Sequence, residues 1–429
     1  MKPALIIADK NHNILDVPGL QPAASKAGIL FPLSRKDLIK LPFGSELFVL
    51  PERYPVGYDS KTGQLTTLKT NPYSKLREKC FAVAAFVSPG YTATYSTAYV
   101  QEKNAKMLPL FSYAPVAFYD GDFYVPAVRV DREKRQDLRL MSIKKIKQNV
   151  KKFEKIFAGN RLFKHLTKCA LVYNCPAGKN FFLQRYECPL PTSPKCNARC
   201  AGCLSFQPDK NCSITQPRIT FTPTAEEISQ VALFHINDVR NPVVSFGQGC
   251  EGEPLMVSDV LLEAIKLIRK DTKKGTINLN TNASKPKIVK QLFAAGLDSI
   301  RVSLNSVQEK YYNAYFKPIG YKFEDVIRSI EYTKAAGGFV SINYFTAPGF
   351  TDEIAEVKTL LKFLKDNRID MIQWRNLNYD PAAYARLMKV ALRPENMIGI
   401  KNLMKEIKKR FSKIKFGYFN PPKEKWISP

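Results

Sequence analysis

From Thr224 onward the sequence alternates between segments with a helical apolar period and short runs rich in β-branched residues, joined by short connections. Helices are expected from Thr224 to about Asn237, Ser258 to Arg269, Lys285 to Ala295, Phe323 to Ala336 and Asp352 to Lys365. Strands are expected at Pro242 to Phe246, Thr276 to Asn280, Ser299 to Leu304, Phe339 to Phe345 and Met371 to Arg375. Thr224 with Glu227 three residues on is a capping pair, and Gly296 and Gly337-Gly338 supply helix ends. Such alternation lays parallel strands side by side with helices over them. With one further strand leading toward Cys196, six βα units occupy 185–380. The fold class is therefore α/β, a partial (β/α)6 barrel with its functional loops at the C-terminal strand ends.

Behind the first strand stands Cys196-Asn197-Ala198-Arg199-Cys200-Ala201-Gly202-Cys203, three cysteines spaced C-x3-C-x2-C. Three thiolates on one short loop can converge on one metal centre. Full protein ligation of a [4Fe-4S] cube takes four cysteines, so three leave one iron open to a small molecule. Short C-x2-C spacings also occur in zinc sites.

The spacing resembles the cluster loop of the radical S-adenosylmethionine (SAM) superfamily, with Gly202 where that family usually has an aromatic. The strand ends follow in matching order. Gly252-Glu253-Pro254 resembles the segment that holds the methionine amino group, although Cys250-Glu251 is inserted ahead of it. Asn280 and Asn282 after the third strand, and Ser303 and Asn305 at the fourth, resemble polar strand ends that reach the cofactor's carboxylate and ribose. Pro348-Gly349 is similar to a turn near the adenine, and Arg375 is the group expected to meet a carboxylate or phosphate.

The resemblance implies a [4Fe-4S] cluster on Cys196, Cys200 and Cys203, with S-adenosylmethionine completing the fourth iron. It implies reductive cleavage of that cofactor to a 5′-deoxyadenosyl radical, which takes hydrogen from a small-molecule or peptide substrate. An electron donor such as flavodoxin or ferredoxin follows. No residue is singled out as catalytic, because His12, His165 and His235 are scattered.

Residues 1–140 read as a β-rich N-terminal domain. Ala4 to Ile7 and Asn13 to Val17 flank a turn, Phe81 to Val100 suggests a strand pair around Pro89-Gly90, and Asp120-Gly121 marks a hairpin. Residues 141–184 form a basic helical connector broken near Gly159-Asn160, with nine lysines or arginines between Lys144 and Lys168. Residues 381–429 are expected to be a helical basic extension, with a helix from Pro394 to Phe411.

The formal net charge of +28, from 66 basic and 38 acidic residues, leaves nucleic acid, an anionic membrane surface or an acidic substrate open as partners. A lysine-rich composition bias explains it equally well. The chain has no uncharged apolar run long enough to span a membrane. Nine cysteines without an export signal argue for thiols or metal ligands in a reducing, cytoplasmic setting. Cys169, Cys175, Cys188 and Cys212 are candidates for an auxiliary cluster, and Cys250 for a place near the site. Two alternatives stand beside the main reading: an RNA-modifying radical SAM enzyme, resting on the charge, and a non-catalytic iron–sulfur or zinc protein.

Overall fold

The computed structural model describes residues 2–207, 212–389 and 393–426. Seven strands lie side by side in chain order and all parallel: Glu187–Pro189, Val243–Phe246, Thr276–Thr281, Ser299–Leu304, Phe339–Thr346, Met371–Asn376 and Lys415–Gly417. They curl into a partial barrel. The two faces of each strand carry different chemistry, because side chains alternate with a period of two. Ile277, Leu279, Ile300, Val302, Val340, Ile342, Ile372 and Trp374 join the main apolar core against the helices. Asn278, Asn280, Ser299, Arg301, Ser341 and Gln373 take the inner face, where hydrogen bonds tie them together: Ser299 to Asn278 (2.9 Å), Asn278 to Asn280 (2.9 Å), Arg301 to Gln373 (3.2 Å). With both faces covered, Thr276–Thr281 is buried throughout.

The five expected helices appear at Ala225–Asp238, Ser258–Asp271, Pro286–Ala294, Phe323–Ala335 and Ile354–Asp366. Thr224 and Glu227 form the reciprocal cap. A sixth helix, Glu309–Phe316, lies between the fourth strand and Phe323–Ala335. Its tyrosines and phenylalanine are indifferent helix formers, so propensity hides it. Burial of Tyr312, Tyr315 and Phe316 holds it in place.

Past 380, helices Pro381–Met388 and Ile400–Arg410 form, but the extension is not wholly helical. Lys415–Gly417 pairs in parallel with Met371–Gln373 as the seventh strand. Three residues are too few to show a period, and only the free edge of the sixth strand gives them a partner. Asn420 then reaches into the barrel, donating to Glu187 (2.7 Å) on the first strand and accepting from Gln373 (2.9 Å) on the sixth.

In the N-terminal region Ala4–Ala8 pairs with Ile14–Val17, and Ala117–Tyr119 with Asp122–Val125. Asp120 and Gly121, at φ 49° and 76°, make the tight turn of the second pair. Phe81–Phe86 and Tyr91–Ala93 are strands but not partners. The first pairs with Glu46–Leu50 and the second with Ala127–Arg129. Gly90, at φ 90°, gives its carbonyl to the N–H groups of Val130 and Asp131, which swings the chain onto a different sheet.

This region sits on the mouth of the barrel. The Asn376 amide accepts from Ala93 N–H (2.8 Å) and donates to Tyr91 O (3.0 Å). Arg53 and Asp380, each 2% exposed at the side chain, form an ion pair across the seam at 3.3 Å. Removing one partner of such a buried pair costs about 3–5 kcal/mol.

Candidate active site

The C-terminal strand ends surround a cavity of about 640 Å³. Cys196, Cys200 and Cys203 form one wall. Their loop is held by backbone bonds to the end of helix Glu309–Phe316, from Arg199 N–H to Phe316 O (3.0 Å) and Ala201 N–H to Tyr315 O (2.9 Å). The Asn378 amide donates to Gly202 O at 3.1 Å. A Cβ at Gly202 would collide with the Tyr315 hydroxyl. The tyrosine thus fills the space beside position 202, and only glycine leaves room for it.

Gly252, Glu253 and Pro254 form the adjoining wall. Gly252 N–H donates to Ser193 O (2.6 Å) and Glu253 N–H to Lys195 O (2.9 Å), so this loop is zipped to the segment entering the cysteine loop. A Cβ at Gly252 would strike the Lys195 carbonyl. Glu251 completes the zip: its carboxylate accepts from the N–H groups of Thr192 (2.8 Å), Ser193 (2.9 Å) and Gln248 (2.7 Å). Glu251 was not singled out from sequence. The two residues inserted ahead of Gly-Glu-Pro were its only signal.

The Glu253 carboxylate accepts from Asn282 N–H (2.8 Å), Leu255 N–H (3.1 Å) and the Thr281 hydroxyl. Burial pushes Glu253 up to about 7 against the pull of those donors. Asn282 donates to Asn197 Oδ1 at 2.8 Å, linking the third strand to the cysteine loop. Asn280, whose amide donates to the carbonyls of Phe246 and Gly247 (both 2.9 Å), is spent mainly on holding the loop after the second strand. Ser303 lines the cavity.

One residue and one turn expected at the site do not reach it. Asn305 donates to Tyr311 O (3.1 Å) and the Tyr384 hydroxyl (3.2 Å), behind the fourth strand end and outside the cavity lining. Beyond Leu304 the chain has left the strand, so the period of two no longer aims side chains inward. The Pro348-Gly349 turn is also off the cavity, with Gly349 packed against the backbone of Lys26 and Ala27 from the N-terminal region.

Arg301 and Arg375 also line the cavity. The Arg375 guanidinium lies 3.8 Å from the centre of the Tyr418 ring. Burial, and then the neighbouring Arg375 charge, press Arg301 down from the usual arginine value. Arg301 Nε, Arg375 Nε and Asn343 Oδ1 are all buried without a hydrogen-bond partner among the described residues. Arg301, Asn343 and Tyr418 escaped the sequence reading, although Arg301 and Asn343 alternate with apolar residues on their strands. Phe86 and Phe111 of the N-terminal region also line the cavity, and no lysine does among the described residues.

The cysteine set suits a metal centre. Burial pushes the Cys196 thiol up to about 11 and Cys200 well above its ordinary value, with Cys203 adding like charge to Cys200. Bare thiolates are therefore disfavoured there, and a bound cation that neutralises them removes the penalty. Arg218 Nη2 donates to Cys203 Sγ at 3.5 Å.

The four candidates for an auxiliary cluster do not converge. The Cys188 thiol is fully buried in the main core, and Cys212 Sγ points to Leu108 O at 3.5 Å. Cys169 instead meets His165 and Cys250. Among the described residues no helix is long and apolar enough to cross a membrane.

The sequence model of the radical SAM superfamily matches residues 190–364. Among solved structures, anSMEcpe with bound AdoMet aligns at 18% identity over 45% of this chain and 52% of its own, with a TM-score of 0.36. Streptococcus suis SuiB bound to the precursor peptide SuiA aligns at 15% over 61% and 60%, with a TM-score of 0.37. A radical SAM methyltransferase from Sphaerobacter thermophilus aligns at 14% over 47% and 63%, with a TM-score of 0.34. The aligned part thus spans between 52% and 63% of those chains. Residues 190–364 belong to the radical SAM superfamily, whose members are enzymes that use a [4Fe-4S] cluster and S-adenosylmethionine.

Proposed function

We propose that Cys196, Cys200 and Cys203 hold the cluster and that S-adenosylmethionine lies along Gly252, Glu253 and Pro254, with Asn280, Asn282 and Ser303 beside it. When bound, the reduced cluster would supply the one electron that breaks the sulfonium C–S bond of S-adenosylmethionine, and the cofactor would supply the 5′-deoxyadenosyl radical that takes hydrogen from a substrate. The chain's own residues bind, orient and exclude water. On this reading 185–380 is the catalytic barrel and 1–140 closes its mouth. Residues 141–184 form a connector, and 381–429 an extension that completes the inner wall. A flavodoxin or ferredoxin supplies the electron in a reducing, cytoplasmic setting.

The observation that carries the reading is that three cysteines and two arginines line one and the same cavity. Two unpartnered guanidinium nitrogens, beside an aromatic face, match a carboxylate on a small molecule or peptide. Arg375 thereby serves the substrate as readily as the cofactor. An RNA substrate rests on the net charge of +28 alone.

The test is anaerobic: reconstitution with iron and sulfide, addition of dithionite and S-adenosylmethionine, and quantification of 5′-deoxyadenosine. Wild type forms the nucleoside, and the triple variant Cys196→Ala/Cys200→Ala/Cys203→Ala does not. Nucleoside from the triple variant, or none from an iron-loaded wild type, overturns the proposal. A screen of carboxylate-bearing amino acids and peptides then seeks faster nucleoside formation in wild type that Arg301→Gln loses.

A further inference from the structure

Helix Arg161–Leu171 of the connector presents His165 and Cys169 one turn apart, on one face. Cys250, from the loop after the second strand, meets them. His165 Nε2 lies 3.4 Å from Cys250 Sγ and 3.4 Å from Cys169 Sγ, and all three ligand atoms fall within 4.8 Å of one another. Cys169 is 2% exposed and Cys250 4%. Nothing in the proposed chemistry uses this group.

Sulfur is a weak hydrogen-bond donor and acceptor, so two thiols and an imidazole gathered in a buried spot gain little from one another. They gain much from a shared cation. With metal–sulfur bonds of about 2.3 Å and metal–nitrogen bonds of about 2.0–2.1 Å, tetrahedral geometry sets sulfur and nitrogen roughly 3.5 Å apart. The observed 3.4 Å separations fit a single ion. Thiolates bound to different irons of a cluster stand farther apart, so a cluster fits poorly. Imidazole with two thiolates and no carboxylate is a donor set for zinc.

We propose that His165, Cys169 and Cys250 bind one Zn²⁺ ion, with water or the Cys175 thiol in the fourth position. Cys175 N–H already donates to Cys169 O at 2.9 Å, and its residue lines the nearby cavity wall. The ion pins the connector helix to the loop that carries Glu251 and Gly252. Those two residues in turn hold Thr192 and Ser193 at the entrance to the cysteine loop. Zinc is therefore a brace for the candidate active site, and the inference does not depend on radical chemistry.

The test uses the full chain carrying Cys196→Ala/Cys200→Ala/Cys203→Ala, so that zinc on the central loop cannot contribute. Mass-spectrometric metal analysis should find about one zinc per chain. Replacement by Co²⁺ should give thiolate-to-cobalt charge-transfer absorption and the visible bands of a tetrahedral site. Adding Cys250→Ser should abolish both. Should that variant fold poorly, the wild-type chain gives a second readout, in which Cys169 and Cys250 resist iodoacetamide until a strong chelator removes the metal. Failure of the triple variant to take up zinc, or zinc retained in Cys169→Ser/Cys250→Ser, overturns the proposal. So does alkylation of both cysteines that is indifferent to chelator. A zinc-loaded chain that forms no 5′-deoxyadenosine leaves this site standing and removes only the function proposed above.

Discussion

The chain carries two groups of sulfur donors built in opposite ways. Cys196, Cys200 and Cys203 share one short loop that faces a cavity. His165 and Cys250 are 85 residues apart in sequence and meet only because a helix packs on a barrel loop. A local set can begin to bind metal before the fold is complete. A non-local set exists only in the folded chain, so its metal binding is coupled to folding. The first is thereby suited to chemistry at a strand end, and the second to holding two elements together.

The largest effect should come from Cys200→Ala. Iron uptake and 5′-deoxyadenosine formation should be lost, with zinc content unchanged, as metal analysis and nucleoside quantification will read. Loss of zinc together with iron breaks the separation of the two sites. Next comes Cys250→Ser, which removes zinc and lowers the melting temperature by about 5 °C or more, at roughly 1 °C per kcal/mol for a chain of 429 residues. The iron content of reconstituted protein should persist. An unchanged melting temperature argues that the second group braces nothing.

Smaller again is Gly202→Ala, whose Cβ meets the Tyr315 hydroxyl. Overpacking of this kind costs about 1–3 kcal/mol. Adding Tyr315→Phe removes the hydroxyl and should restore most of the lost stability in a denaturant titration. The smallest change is expected from Arg218→Gln, which removes the guanidinium that donates to Cys203 Sγ. Loss of a nearby positive charge disfavours the reduced cluster, lowering its midpoint potential by on the order of tens of millivolts in a redox titration. A rise in potential contradicts the assigned contact.

Most of the barrel was legible because its helices and strands carry strong periods. Ser299–Leu304 appears with the expected bounds, and the other strands shift by a residue or two. The inner polar face was legible in principle too, since Arg301 and Ser303 alternate with Ile300, Val302 and Leu304. The misses share a cause. Glu309–Phe316, Lys415–Gly417, the partners of Phe81–Phe86 and the non-convergence of Cys188 and Cys212 all depend on distant neighbours. Asn305 shows the converse error: a residue that continues the strand pattern in sequence leaves the strand in space.

The amino-acid sequence alone determined the α/β architecture and the cysteine loop, because hydrophobic period and ligand spacing act over a few residues and need no distant partner. Tertiary structure alone decided which groups line the same cavity. It set Arg301 beside Arg375, brought His165 to Cys250, and let Asn420 bridge the first and sixth strands. Such contacts join segments far apart in sequence. They form only when burial of the apolar helix faces has already fixed where each strand ends.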